Sequence, residues 1–191
     1  MVDKITTVGL FGGSFNPPHK GHKNICLYVL NFLGLNQLWC LVSPQNPLKK
    51  KKDLASLDER IEKTKKLLCH PKICVTDIEK KYKTHYTIDT IQKLLIRFPK
   101  NKFIWIMGAD NLIQIIKWKD WEKIFYKVSI VVVDRPGYSL KSRLSFAAQR
   151  FSKYKIKNSE AKKILTKKPP AWVFLQPRLD RSASTKIRSK K

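Results

Sequence analysis

One breaker-rich string near the start constrains this chain more than any other feature. The apolar run Thr6 to Phe11 leads directly into Gly12-Gly13-Ser14-Phe15-Asn16-Pro17-Pro18-His19-Lys20-Gly21-His22, and apolar residues at helical spacing follow from about Gly21 to Leu33. Such a series reads as a buried strand, a phosphate-type loop and a helix. Alternation continues downstream. Gln37 to Val42 reads as a strand, and polar Ser43 to Ser56, with Pro44, Pro47 and Lys49 to Lys52, as a long loop of the kind that often carries function. A helix from about Leu57 to Leu68, a strand Lys72 to Thr76, a polar turn through Thr84 and a helix from about Thr87 to Phe98 follow. Phe103 to Met107 is a strand ending in Gly108-Ala109-Asp110, a helix and a Trp-rich turn run to Tyr126, and Val128 to Val133 is a strand ending in Asp134-Arg135-Pro136-Gly137.

This order, with near-continuous apolar strands, predicts an α/β fold: a parallel sheet with helices on both faces. Beyond Gly137 the expectation is a basic, mainly helical stretch from Lys141 to about Leu165, a last strand Ala171 to Leu175 and a short terminal helix. A length of 191 residues fits one domain, residues 1–191.

Composition narrows the setting. No apolar run reaches the roughly 18 residues of a membrane span, and no leader pattern is present, so a cytoplasmic protein without membrane association is expected. Cys26, Cys40, Cys69 and Cys74 form no CxxC pair, and three lie in apolar stretches where a free thiol behaves as a small hydrophobe, arguing against a zinc site or disulfide framework. Forty Lys and Arg against 14 Asp and Glu give a net charge of +26, a field that favours polyanions. The excess is mostly Lys, as compositional drift on solvent faces would produce, and nucleic acid is not expected as a partner. A homo-oligomer stays open.

In open parallel sheets ligands sit at the carboxyl ends of the strands, where the loop Gly12 to His22 falls. Gly12 and Gly13 let backbone N–H groups approach a phosphate, and the positive end of the following helix adds anion attraction. His19 and His22, three residues apart, share one helix face and can donate to one bound group. Such a pair also suits a helix cap or a metal; the surrounding glycines and prolines favour the phosphate. Fixed donors of this kind supply most of the effect in displacement at phosphorus.

Further motifs stand in order: Tyr86-Thr87-Ile88-Asp89-Thr90, Gly108-Ala109-Asp110, Trp118, Arg135-Pro136-Gly137 and Ser182-Ala183-Ser184-Thr185-Lys186-Ile187-Arg188. With the Gly12 to His22 string, they resemble the HxGH nucleotidyltransferase superfamily, and within it the bacterial nicotinate-nucleotide adenylyltransferases, from residue 8 to 188. The resemblance implies a Rossmann-like fold and the joining of ATP to nicotinate mononucleotide, giving nicotinate adenine dinucleotide and pyrophosphate, with Mg²⁺ carried in on the triphosphate.

It further implies that His19, His22 and Arg188 are catalytic. Gly12, Gly13, Ser14, Phe15, Gly21, Gly108, Asp110, Arg135 and Ser184 would join them in holding ATP, while Asn16, Lys49, Tyr86, Thr87 and Trp118 would hold the acceptor. Asp110 also suits a ribose by its place after a strand, or a helix cap. Trp118 offers a flat face for a ring, with Thr87 and backbone N–H groups meeting the carboxylate, and Trp121 nearby suits the core. No metal-ligand cluster is expected. Lys119 departs from the usual Tyr after the tryptophan, and Lys49 to Lys52 replace a Pro-Pro-His-Lys-like string. Nicotinamide mononucleotide or phosphopantetheine as acceptor, or a non-catalytic basic nucleic-acid-binding protein, are the alternatives.

Overall fold

The computed structural model describes residues 6–44 and 54–177. Seven strands form one sheet in the order β3-β2-β1-β4-β5-β7-β6, and every pairing is parallel. They are β1 (Thr6–Gly13), β2 (Gln37–Val42), β3 (Ile73–Thr76), β4 (Asn101–Gly108), β5 (Ser129–Val133), β6 (Lys155–Ile156) and β7 (Trp172–Leu175). The helices among the described residues are α1 (Lys20–Leu33), α2 (Leu57–Leu67), α3 (Ile78–Lys81), α4 (Thr87–Arg97), α5 (Ala109–Gln114), α6 (Trp121–Lys127), α7 (Ser139–Arg143) and α8 (Phe146–Arg150), with one 3₁₀ segment between α5 and α6 and two after α8.

Alternation along the strands divides the core between two faces. Val8, Leu10, Phe103, Trp105, Met107, Ile130 and Val132 pack with Ile88 and Ile91 of α4, Leu112 of α5 and Phe125 of α6. Phe11, Ile104, Ile106, Val131 and Val133 face the other way, against Cys26, Val29, Leu30 and Leu33 of α1. Those four α1 positions are spaced i, i+3, i+4 and i+7, which places them on one stripe. The expected sheet with helices on both faces is what the chain forms.

Local chemistry sets the ends. Gly34 stops α1 with a left-handed φ of 73°, its N–H donating to Leu30 O. Ser56 starts α2 by accepting from the Glu59 N–H at 3.2 Å, with Asp58 and Glu59 in the first turn favouring the positive helix end.

Three features differ from the sequence reading. Strand β1 runs on through Gly13, because Gly12 and Gly13 still pair with Leu41 and Val42 of β2. Short helix α3 interrupts the expected polar turn before Thr84. The stretch from Lys141 to Leu165, read as mainly helical, holds parts of α7 and α8, the two-residue strand β6 and 3₁₀ turns. Its dense lysines leave too few apolar residues to mark a period, and edge pairing of β6 to β7 is decided by tertiary packing. The expected terminal helix lies outside the described residues. Cys26 and Cys40 are buried with sulfurs 3.7 Å apart, whereas Cys69 and Cys74 are exposed. None of the helices among the described residues is long and apolar enough to cross a membrane.

Chain direction decides where a ligand can sit. From β1 the chain winds outward through β2 and β3, then returns to β4 on the opposite side of β1. Loops leaving β1 and β4 therefore diverge to opposite faces, and a crevice opens at the carboxyl ends between them.

Candidate active site

A cavity of about 920 Å³ occupies that crevice. Its wall includes Gly12, Gly13, Ser14, Phe15, Asn16, His19, Gly21 and His22 from the first loop and helix, Tyr86 and Thr87 from the start of α4, Gly108 and Asp110 after β4, Trp118, and Arg135 after β5. Every expected site residue that lies among the described residues is thus brought to one space. Lys49, Ser184 and Arg188, like Ser182, lie outside them.

The first loop is built around two rings. Phe15, with φ of 47°, turns its side chain into the core, edge-on to Phe11 at 5.8 Å and 4.9 Å from the His22 ring. His19 is the N-cap of α1, and its main-chain N–H donates to His22 Nδ1 at 3.1 Å. The two imidazoles lie 3.8 Å apart, centroid to centroid. The capping role weighed for these histidines is therefore real. A Nδ1 that accepts a bond carries no proton, so in the neutral ring the proton sits on Nε2.

The glycines answer to protein atoms as much as to a ligand. A Cβ on Gly12 would come 2.7 Å from Trp105 Cη2, one on Gly13 3.3 Å from the Phe15 ring, and one on Gly21 3.0 Å from the His19 ring. Bare Cα atoms here let the rings of Trp105, Phe15 and His19 lie against the loop.

Across the crevice, Arg135 Nη1 donates to Asp110 Oδ2 at 3.0 Å. Gly108 makes room for this carboxylate, since a Cβ there would meet Asp110 Oδ1 at 2.5 Å. Asp110 is the second residue of α5 and Gly108 its N-cap, so the capping alternative for Asp110 does not hold.

A third wall is aromatic. Trp118 follows the 3₁₀ turn Ile115–Lys117 and stands edge-on to Trp105, 6.3 Å between centroids. Its main-chain N–H donates to Ile115 O at 2.8 Å. Lys119 holds its ammonium 4.8 Å above the Tyr86 ring and 3.3 Å from Asp89, and it lines the same cavity. Trp121, half-buried, packs on Phe125, Phe146 and Phe151 at the edge of the core.

Several residues at or behind this space carried little sequence signal. Trp105 is buried with an indole N–H that has no partner among the described residues. Glu79, on short α3, lines the cavity while nearly buried; burial raises its pKa from the ordinary carboxylate value, and a hydrogen bond from the Ser43 hydroxyl opposes that rise. Arg60 is buried behind the loop. A signal for it exists: Leu57, Arg60, Ile61, Thr64 and Leu68 fall at helical spacing, so an arginine sits on the stripe that must face inward.

A strand, glycine loop and histidine-bearing helix N-terminus at the carboxyl edge of a doubly wound parallel sheet define a nucleotide-site architecture of the Rossmann-like class. The chain belongs to the cytidylyltransferase-like family, whose model matches residues 10–190. Among relatives, a probable nicotinate-nucleotide adenylyltransferase of Parvibaculum lavamentivorans is 44% identical over 183 residues, covering 96% of this chain and 91% of the relative. One of the same name from Agrobacterium fabrum is 45% identical over 182 residues, covering 95% and 97%. In fold the chain resembles the Plasmodium falciparum nicotinic acid mononucleotide adenylyltransferase complexed with NaAD: the TM-score is 0.67 at 18% identity, over 96% of this chain and 83% of that one.

Proposed function

We propose that this protein joins ATP and nicotinate mononucleotide to give nicotinate adenine dinucleotide and pyrophosphate, a step of NAD biosynthesis. The observation that carries the reading is the convergence of both residue sets, the phosphate loop with His19 and His22 and the Tyr86, Thr87 and Trp118 wall, on one cavity. Relatives 44 and 45% identical over nearly the full length of both chains carry the name of that activity.

In this reaction a phosphate oxygen of the mononucleotide attacks the α-phosphorus of ATP in line. The bond from that phosphorus to the bridging oxygen breaks, and pyrophosphate leaves with the electron pair, without a covalent enzyme intermediate. His19 and the Nε2–H of His22 donate to the phosphoryl oxygens as charge builds, which is where fixed donors contribute most. Asp110 receives the ATP ribose beside Arg135, and Ser184 and Arg188 hold the departing phosphates. Trp118 and Tyr86 receive the pyridine ring, and Thr87 and the Lys119 side meet its carboxylate. Asn16 and one lysine of Lys49 to Lys52 serve the acceptor phosphate.

Mg²⁺ enters as part of the nucleotide substrate. Among the described residues no group of three or more His, Cys, Asp or Glu is arranged to hold a metal. Of the carboxylates in the wall, Asp110 is tied to Arg135, Glu79 to Ser43 and Asp134 to Ser139.

Pyrophosphate release, measured with ATP and each of nicotinate mononucleotide, nicotinamide mononucleotide and phosphopantetheine, tests the assignment. Nicotinate mononucleotide should give the highest kcat/KM; a faster rate with either other acceptor overturns it. Joint replacement His19→Ala and His22→Ala should abolish the release, and survival near wild-type rates overturns the mechanism.

A further inference from the structure

Arg60 stands outside the cavity wall and is bonded to three separate segments around it. The side chain, on the first turn of α2, is 1% exposed. Its Nη1 donates to Ser14 O and to Ser43 O, each at 2.7 Å, its Nη2 to Pro44 O at 3.1 Å and its Nε to Ala55 O at 3.0 Å. Ser14 belongs to the loop between β1 and α1, Ser43 and Pro44 follow β2, and Ala55 precedes α2. Two more bonds tie the same segments: Ser43 N–H to Gly13 O at 2.9 Å and Ala55 N–H to Asn16 Oδ1 at 3.2 Å. No carboxylate pairs with Arg60 among the described residues; its acceptors are main-chain carbonyls.

A buried guanidinium is costly unless its donors are filled, and here the planar fork fills four bonds at fixed angles. That rigidity is transmitted through the peptide plane. Among the described residues only Asn16–Pro17 and Pro169–Pro170 are cis, so Ser14–Phe15 is trans and the Phe15 N–H points opposite to the Ser14 carbonyl. With that carbonyl held by Arg60 behind the loop, the N–H is turned to the opposite side, where Ser14 and Phe15 line the cavity. The left-handed φ of Phe15 is the backbone setting that accompanies this arrangement, and it is one a phenylalanine rarely adopts unaided.

We propose that Arg60 is a positioning residue for nucleotidyl transfer: by holding the Ser14 carbonyl it presents the Phe15 N–H to a substrate phosphate. It touches no substrate and acts through the loop. The inference deepens the function proposed above and rests on it for the assay.

The test compares the full-length wild type with Arg60→Lys and Arg60→Ala, at a temperature where circular dichroism shows them folded. Lysine keeps the charge but offers a single point of donation in place of the fork. Displacing a catalytic constellation by about 1 Å costs on the order of 10²-fold in rate, so kcat/KM for ATP should fall by about that factor in both variants. Millimolar guanidinium, small enough to refill the vacated site, should then raise the rate of Arg60→Ala several-fold and leave the wild type unchanged. Folded variants with wild-type kcat and KM overturn the proposal, as does a folded, slow Arg60→Ala that guanidinium fails to rescue. If neither variant folds, Arg60 serves stability alone and the proposal is equally overturned. A wild type that releases no pyrophosphate with any acceptor fails the functional reading instead; the arrangement is then judged by calorimetric ATP affinity, which should drop in the variants and recover with guanidinium.

Discussion

The main-chain N–H of His19 donates to Nδ1 of His22 across 3.1 Å, so the imidazole proposed to serve the phosphoryl group also caps a helix through its other nitrogen. The two duties separate by substitution. His22→Asn places a polar atom near Nδ1 and should keep the cap, with stability close to wild type, while kcat falls about 10² to 10³-fold for want of the donor. His22→Gln reaches the Nε2 position instead. It should retain more activity but lose about 1 kcal/mol of stability with the cap. Kinetics beside thermal denaturation of the two variants checks this; equal activity in both removes the assigned division.

Asp110 and Arg135 form an ion pair whose arginine is about half exposed, so the pair contributes on the order of 0–1 kcal/mol to stability. Asp110→Asn should therefore melt near the wild-type temperature. Its KM for ATP should rise about tenfold, the loss expected when a charged acceptor for a substrate hydroxyl is weakened. A fall in kcat at unchanged KM would place Asp110 in transition-state stabilisation and not in ribose binding.

Gly12→Ala sets a Cβ 2.7 Å from Trp105 Cη2, inside contact distance of a ring that cannot fold away. Overpacking of this kind costs about 1–3 kcal/mol. Adding Trp105→Phe removes the clashing atoms together with the buried indole N–H that has no partner among the described residues. The double variant should recover stability relative to Gly12→Ala alone, read from urea midpoints. A double variant less stable than the single one would refute the clash.

Glu79 has its pKa raised by burial, with the Ser43 hydroxyl partly opposing the rise. The unfolded carboxyl ionises first as pH increases, while the folded one keeps its proton. Stability is thus fully present below the ordinary carboxylate pKa and declines as pH rises through the raised folded value. Glu79→Gln abolishes the titration and preserves a neutral hydrogen-bonding side chain. The melting temperature of the wild type should drop, relative to that of Glu79→Gln, between pH 4 and pH 8; parallel profiles would exclude the effect.

Much of this molecule was legible in its residues because strands and phosphate loops leave local marks. Apolar runs between breakers located β1, β2, β4, β5 and β7, and the parallel sheet with helices on both faces followed from their alternation with helices. The string Gly12 to His22 pointed to a phosphate site through elements it carries itself: bare Cα atoms, a helix start and two spaced imidazoles. Resemblance supplied the rest of the wall, Tyr86, Thr87, Gly108, Asp110, Trp118 and Arg135, and the fold brings each of them to the same cavity.

What the tertiary structure alone decided are relations between segments distant along the chain. That Gly12 makes room for Trp105, that Asp110 is held by Arg135, and that Arg60 ties carbonyls of residues 14, 43, 44 and 55 to one fork all depend on strands β1, β2, β4 and β5 lying side by side. A side chain's type is written in the sequence, but its partners are fixed only when burial removes water as the competitor and leaves those few protein atoms to satisfy it.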